Sequence, residues 1–549
     1  MKSSGVPFLV LVFVGWALKL EAQATLGTAA VAGTVHDEHK LRVPSARILL
    51  TESLKNLVRE ATTDDNGEFL FPSVTAGSYK VEASKAGFTT TTMDELSVEI
   101  GGRLVLEVPL HVGETRTEIM VSGAASILDS ETNVVGTVID SGRIANLPLN
   151  GRNFLQLGLL AGGVTEAPGF SATFSINVGP PGRVVVLPGS MPYSVNYSLN
   201  GIPIRSSRDG ELALSPSVAA IDQFKVETGF LPPDRGPNAG VVNIVTKSGN
   251  NSLHGELFEF FRNRRLDARS FFASAPEDLK RNQFGMAVGG AILKNKIWFH
   301  GFYEGLRETT AFSRSGYSPT AAMFSGRFGE TGRTIFDPAT YSAASGTRAP
   351  FPENAIPGSQ INPVALRLAE YYLPGNSLSS RPGNVFGYPL NTFDDNQGGL
   401  RIDAAISDRQ QLFGQLFTQN APADRRGLYP LSGLLYKNSA DLAMAQHTWT
   451  IGPRLVSVFR AGFLRNVAVG GNEAQDGGPI LKSIGIGNTF DDRGVSAINL
   501  LGYSPFGRAN GDVGNRDQAW HAAGELSYSR AGHTIKVGSG ASFRRGWHT

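Results

Sequence analysis

From residue 251 onward, apolar and polar side chains alternate with a period of two, the spacing of extended strands whose two faces meet different surroundings. Leu253, Leu257 and Phe261 fall on one face, and His254, Glu256, Phe258 and Phe260 fall on the other. The clearest hairpin begins at Gln283. There Phe284, Met286, Val288 and Ile292 alternate with Gln283, Gly285, Ala287, Gly289 and Ala291, before a turn at residues 294–296 and an aromatic strand. Similar pairs follow in GLRIDAAIS with QLFGQLFTQ, LAMAQHTWT with LVSVFRAGF, and AAGELSYS with HTIKVGSGASF. Together these make nine segments, each near the roughly ten residues of a tilted membrane span. They predict an antiparallel wall with lipid against its apolar side and water or a plug against the other. Residues 309–396 and 470–514 break the rhythm with Pro, Gly and Ser and read as long outward loops. NPVALRLAEYYL predicts one helical turn inside the first.

Upstream of Lys247 the pattern is different. Ile221, Phe224 and Val226 supply apolar contacts, a Pro- and Gly-rich turn covers residues 231–240, and VVNIVT is a nearly continuous apolar run of the buried-strand type. LPLNGRNFLQLGLLAGGV places a turn before a short helix, with Asn153 as its N-cap. SVNYSLNGIPI closes alternating residues with an Asn-Gly turn. Residues 113–250 are therefore expected to form a compact α/β domain. Residues 28–112 carry short β-rich runs at the spacing of an Ig-like β-sandwich. Asp65, Asn66 and Gly67 predict a tight hairpin turn there, and Phe69, Phe71, Tyr79 and Phe88 sit where a core would use them.

The amino terminus has one lysine, an apolar core over residues 6–18 and small residues at Ala22 and Ala24. That order predicts a signal peptide at residues 1–24, because the apolar core is shorter than the roughly 20 residues a spanning helix needs. A membrane protein built from the remainder must then be a barrel. The balance of 50 Lys and Arg against 48 Asp and Glu gives no field favouring nucleic acid. Sixty-five Gly and 32 Phe suit a barrel wall, and zero Cys excludes disulfides and thiolate metal sites. No GxSxG, HExxH or Walker A motif occurs, and His36 and His39 in HDEHK invert the order of a zinc-protease helix. The Asp64, Asp65, Asn66 cluster lacks the ligand spacing of an EF-hand. The sequence predicts neither an enzyme nor a cofactor.

The runs IDQFKVETG, VVNIVTKSG, HGELFEFFRN and RNQFG resemble the plug-to-barrel junction of TonB-dependent outer-membrane receptors, in particular the Oar-like members with an extra domain in front. VPSARILL, TTDDNGEFLF and AGSYKVEASKAGF resemble the carboxypeptidase regulatory-like domain, whose fold is shared with carbohydrate-binding modules. The resemblance implies a mainly β chain: an Ig-like β-sandwich at 28–112, a TonB-box linker and α/β plug at 113–250, and the front part of an antiparallel transmembrane β-barrel at 251–549. It implies a TonB box at Glu118, Ile119, Met120, Val121 and Ser122, where an energy-transducing periplasmic protein adds a strand and pulls. It also implies plug motifs at Asn150, Gly151, Arg152, Asn153, Asn200, Gly201, Asn243, Thr246 and Lys247. Arg143, Arg152, Arg205 and Arg235 are candidates for pairing with acids of the barrel wall. Where the family often carries two glycines, this chain has Ala239 and Gly240, a departure confined to that turn.

The partners implied are that transducing protein, outer-membrane lipid, and a small solute such as a carbohydrate or a chelate, with no nucleic acid. A surface adhesion or glycan-binding protein without transport is the competing expectation. Plugged transporters have about 22 strands, more than residues 251–549 can supply, and SFRRGWHT lacks a terminal aromatic strand. The sequence is thus expected to cover the front of a longer receptor or to be a truncated product.

Overall fold

In the computed structural model, the described residues are 28–113, 119–120, 134–166, 185–187, 190–191, 194–207, 210–229, 231, 238–269, 271, 278–311, 313–376, 383–452, 454–473, 480–487, 498–505, 507, 513–530 and 533–548. The expected signal peptide lies outside them.

The first domain holds β1 (Thr28–His36), β2 (Arg47–Glu52), β3 (Leu57–Thr62), β4 (Glu68–Thr75), β5 (Gly77–Ser84), β6 (Thr91–Val98), β7 (Arg103–Pro109) and β8 (Ile119–Met120). They form two sheets, ordered β4-β1-β7 and β3-β2-β5-β6-β8. Alternate residues point into one shared core, so Phe69, Phe71 and Tyr79 are buried as expected and Phe88 packs on its margin. The predicted hairpin at Asp65, Asn66 and Gly67 is corrected. A turn does form, with Gly67 at φ 71° and the Asp64 carboxylate accepting from the Asn66 and Glu68 amides at 3.0 and 2.9 Å. However, β3 pairs with β2 while β4 pairs with β1, so the chain crosses here from one sheet to the other. Turn chemistry reverses the chain; the apolar faces of the flanking strands choose its partners. β6 was not expected, because Asp94 and Glu95 interrupt its alternation where Glu95 takes φ 58° beside a register shift.

The second domain holds β9 (Val134–Ile139), β10 (Thr165–Glu166), β11 (Val185–Val186), β12 (Val195–Leu199), β13 (Ile202–Pro203), β14 (Ile221–Gly229) and β15 (Gly240–Thr246). Its main sheet runs β13-β12-β15-β14-β9, with β12 and β15 parallel. β15, the VVNIVT run, lies between two neighbours and is buried almost throughout, which is why it shows no alternation. Short helices at Ser141–Asn146 and Leu155–Gly158 pack alongside. The second begins one residue later than an Asn153 cap implies, although the Asn153 side chain accepts from the Leu155 amide at 3.2 Å.

The third part is one large antiparallel sheet. Its strands are β16 (His254–Asn263), β17 (Asp278–Leu293), β18 (Ile297–Ala311), and then, after a short ladder of β19 (Arg314–Gly316) with β20 (Val385–Gly387), β21 (Leu390–Ser407) and β22 (Gln410–Asn420). β23 (Ala423–Arg425), β24 (Leu434–Gly452), β25 (Leu455–Asn472), β26 (Val513–Arg530) and β27 (His533–His548) complete it. The order is β16-β17-β18-β21-β22-β24-β25-β26-β27, with β23 pairing β21 and β24. All nine expected segments are present, but most are longer than expected, reaching 19 residues in β24. The apolar alternation marks only the lipid band, and the strands continue beyond it with polar residues. Direction alternates as predicted: Leu416 is 60% exposed and Phe417 beside it 2%. The outward loops fold on themselves, burying Tyr372, Tyr429, Ile480, Leu481 and Ile484 in a small core of their own. The helix Pro363–Ala369 stands where its sequence predicted one, capped by Asn362.

Candidate functional site: the seat of the plug

Cross-strand partners share a face, so the register stacks the inner wall in layers. Phe302, Phe417, Leu442, Leu464 and Ala519 lie across from one another on successive strands or their neighbours, and they share one buried cluster with Tyr197, Leu199, Ile202, Phe224 and Ile244 of the second domain. The second domain and the inner wall thus have a common core. Where β13 approaches the wall the strand is reduced to Gly462, and a Cβ there would stand 3.0 Å from Ile202.

One layer outward the wall turns polar and grips the NGR turn. Gly151 and Arg152 both take positive φ, 67° and 51°, which turns the Arg152 side chain against the wall. Its guanidinium lies over the rings of Phe258 and Phe260, at 4.1 and 5.2 Å, and its Nε is 3.4 Å from Glu304. Glu304 also accepts from Ser217 and from Gln283 Nε2. Gln283 donates again to the Gly151 carbonyl at 3.2 Å, and Arg281 Nη1 donates to Asn150 Oδ1 at 2.6 Å. Of the four arginines singled out, Arg152 meets a wall acid. Arg143 pairs with Asp140 at the start of its own helix, the Arg205 backbone forms an antiparallel β-bridge with Leu212 inside the plug, and Arg235 lies outside the described residues.

A second grip lies at the other end of the plug sheet. The Asn200-Gly201 turn puts Asn200 at φ 47° and Gly201 at 84°. From there Asn200 Nδ2 donates to Thr246 Oγ1 at 2.8 Å and to Gln415 Oε1 of the wall at 2.7 Å, and its Oδ1 accepts from the Thr246 amide at 3.1 Å. Arg401 Nη1 donates to the Thr246 carbonyl and hydroxyl, both at 3.0 Å, while its other nitrogens hold Asp403. Asn243 accepts from Ser198 at 3.0 Å within the plug sheet, and Lys247 reaches Glu256 at 4.0 Å. The wall partners Gln283, Glu304, Arg401 and Gln415 were not singled out from sequence. Their alternation was legible, but which polar inward residue meets the plug depends on strand register.

The sandwich stands at the short-turn end of the barrel. The β2–β3 connection, residues 53–56, enters the barrel mouth. The Leu54 carbonyl accepts from the Asn251 amide at 3.0 Å, and Asn56 meets Asn295 at 3.3 Å. Lys55 is buried over the Trp298 ring, between Glu52 at 3.7 Å and Asp403 at 3.9 Å. Burial raises the Glu52 carboxyl above its usual range, with Lys55 the main opposing influence. Behind this tip lies a cavity of about 400 Å³ between sandwich, plug and wall, lined in part by Asp222, Lys247, His300 and Arg401. Of the five TonB-box residues, Ile119 and Met120 pair in parallel with Thr91 and Thr92 at the edge of the sandwich sheet; Glu118, Val121 and Ser122 lie outside the described residues. No cluster of three metal-ligating side chains occurs among the described residues.

The model of the outer membrane beta barrel domain matches residues 245–548, and that of the carboxypeptidase regulatory-like domain matches residues 30–111. The TonB-dependent transporter Oar of Myxococcus xanthus is 26% identical over 393 residues, covering 68% of this chain and 34% of Oar, so the chain spans about a third of that relative. Among solved structures, the outer membrane transporter YddB of Escherichia coli superposes with a TM-score of 0.46 at 12% identity, over 75% of this chain and 48% of its own. The siderophore receptor PirA of Acinetobacter baumannii gives 0.43 at 14% identity, over 75% and 48%.

Proposed function

The chain belongs to the outer membrane beta barrel domain family and sits in the outer membrane, and on that premise we propose that it is a TonB-dependent receptor that admits a small solute when its plug is pulled from the periplasmic side. The observation that carries this reading is the seat of the second domain. Its sheet shares a core with the inner wall, yet around that core it is held by polar contacts, at Arg152 with Glu304 and at Asn200 with Gln415. Polar groups parted by a pull can be rehydrated, which offsets part of the cost of breaking these contacts, so the plug can leave without unfolding either partner. Ile119 and Met120 are paired on one side only, as the last strand of their sheet, so on this reading the transducing protein must add to the free side or take the strand from β6.

No catalytic residue is required, because the work is mechanical. The test is deletion of residues 118–123 in cells supplied with a panel of carbohydrates and ferric chelates. Loss of proton-gradient-dependent uptake is the expected outcome, and undiminished uptake contradicts the proposal.

A further inference from the structure

On the inner face of β24, β25 and β26, three carboxamides and one carboxylate surround two alanines. In the register, Asn438 and Asn515 flank Ala468, while Asn466 and Asp517 lie beside Ala440 one step along. Asn438, Asn466 and Asn515 are 6, 2 and 1% exposed. The plug uses only part of this patch: the Ser207 hydroxyl donates to Asp517 Oδ2 at 2.6 Å and its amide does so at 3.3 Å, and Asn515 Nδ2 reaches Ser206 Oγ at 3.4 Å and Asp517 Oδ2 at 2.7 Å. Both amide atoms of Asn438, Asn466 Nδ2, Asn515 Oδ1 and Asp517 Oδ1 are buried with no hydrogen-bond partner. Buried polar groups are costly unless paired, and strand alternation aims these toward the lumen. Elsewhere in this polar layer the wall groups are used by the plug, as Glu304 and Gln283 are, whereas these atoms are left without a partner.

We propose that this patch is a solute-binding subsite on the barrel wall, uncovered as the plug yields, and that it takes a neutral polyhydroxylated solute, an oligosaccharide. The proposal rests on the receptor reading above and names the class of its cargo. A carboxamide offers a donor and an acceptor in one plane, matching adjacent hydroxyls that both give and accept. Ala440 leaves room beside Asn466 on the side that the plug covers, while Ala468 packs into the wall's own cluster with Leu306, Phe393 and Tyr436. The patch itself holds no cation, and its one charge, Asp517, repels anions. Such a surface disfavours a polyanionic ferric chelate.

The experiment compares the wild-type chain with Asn438→Leu/Asn466→Leu, near-isosteric and apolar, and with Asn438→Gln/Asn466→Gln, which keeps the amides. Uptake of radiolabelled malto-, cello-, xylo- and chitohexaose is measured in energised cells, with a ferric tris-catecholate and a neutral hexapeptide as comparators. Thermal midpoints are measured on the purified chains. At least one hexasaccharide is expected to enter the wild-type cells, at a rate lowered tenfold or more by the leucine pair and largely retained by the glutamine pair, while the midpoint of the leucine pair holds or rises. Overturning results are a wild type that admits none of the hexasaccharides, uptake indifferent to the leucine pair, or a leucine pair with a lowered midpoint, the mark of a purely structural role. An uncoupler separates the two readings. Hexasaccharide uptake that needs the amides but ignores the proton gradient sinks the receptor reading alone; gradient-driven uptake of the catecholate or peptide without any hexasaccharide sinks the subsite alone.

Discussion

Arg152 concentrates the chemistry of the plug's seat in one side chain. It supplies a charge to Glu304, whose side chain is 4% exposed, and a flat cation to two phenyl rings. Arg152→Ala leaves that carboxylate buried with neutral donors only, and removing one partner of a buried pair typically costs about 3 kcal/mol. The expected result is earlier release of the plug in guanidinium, read by protease cleavage within residues 134–246. Gly240 is a second position with a single reason. A Cβ there would stand 1.7 Å from Leu187 Cδ1 and 2.8 Å from the Glu227 carbonyl. The leucine tip can move but the backbone oxygen cannot, so Gly240→Ala is expected to destabilise the plug by about 1–3 kcal/mol, measured by chemical denaturation. The departure from a double glycine at Ala239 and Gly240 therefore leaves the essential glycine in place. At this scale the turns that carry Arg152 and Asn200 were legible in the sequence. Glu304, Gln415 and Arg401 were not, being set apart from other inward polar residues only by the register of long strands.

Elements were legible wherever one face is apolar. The nine wall segments and the buried β15 follow from alternation and its absence, whereas β6 was hidden by two acids and the turn at Gly67 misled because partner choice is not local. The docking of the sandwich had no sequence signal at all, since Ser53, Leu54, Lys55 and Asn56 form no recognisable motif. That docking has a pH signature. The Glu52 carboxyl is raised by burial, so the docked state binds a proton more readily than the undocked or unfolded chain. Stability from this group is present at acid pH and declines as pH rises from the ordinary carboxylate value of about 4.3 up through the raised value. The midpoint for the sandwich's release is expected to fall across that window, and Glu52→Gln is expected to flatten the fall, as followed by calorimetry of the full chain at several pH values. An unchanged pH profile in the variant contradicts the assignment of Glu52.

At the scale of the whole molecule, three structures pack against one wall whose edge strands are β16 and β27. The outward loops form a cap with its own core, the second domain shares a core with the inner face, and the sandwich tip meets the short-turn end. The outer wall meets lipid, so Leu416→Arg is expected to cost about 2–4 kcal/mol near the bilayer midplane, measured by refolding into vesicles. An effect confined to detergent, absent in vesicles, contradicts that orientation. The central claim is that the plug leaves its seat when the membrane is energised. Because the chain contains no cysteine, a single Ser217→Cys, at a plug position that is buried and meets Glu304 of the wall, reports on that event without background from the chain itself. Maleimide labelling of this cysteine in living cells is predicted to occur with the proton gradient intact and to stop when an uncoupler is added or residues 118–123 are deleted; labelling that is equal in all three conditions contradicts the account.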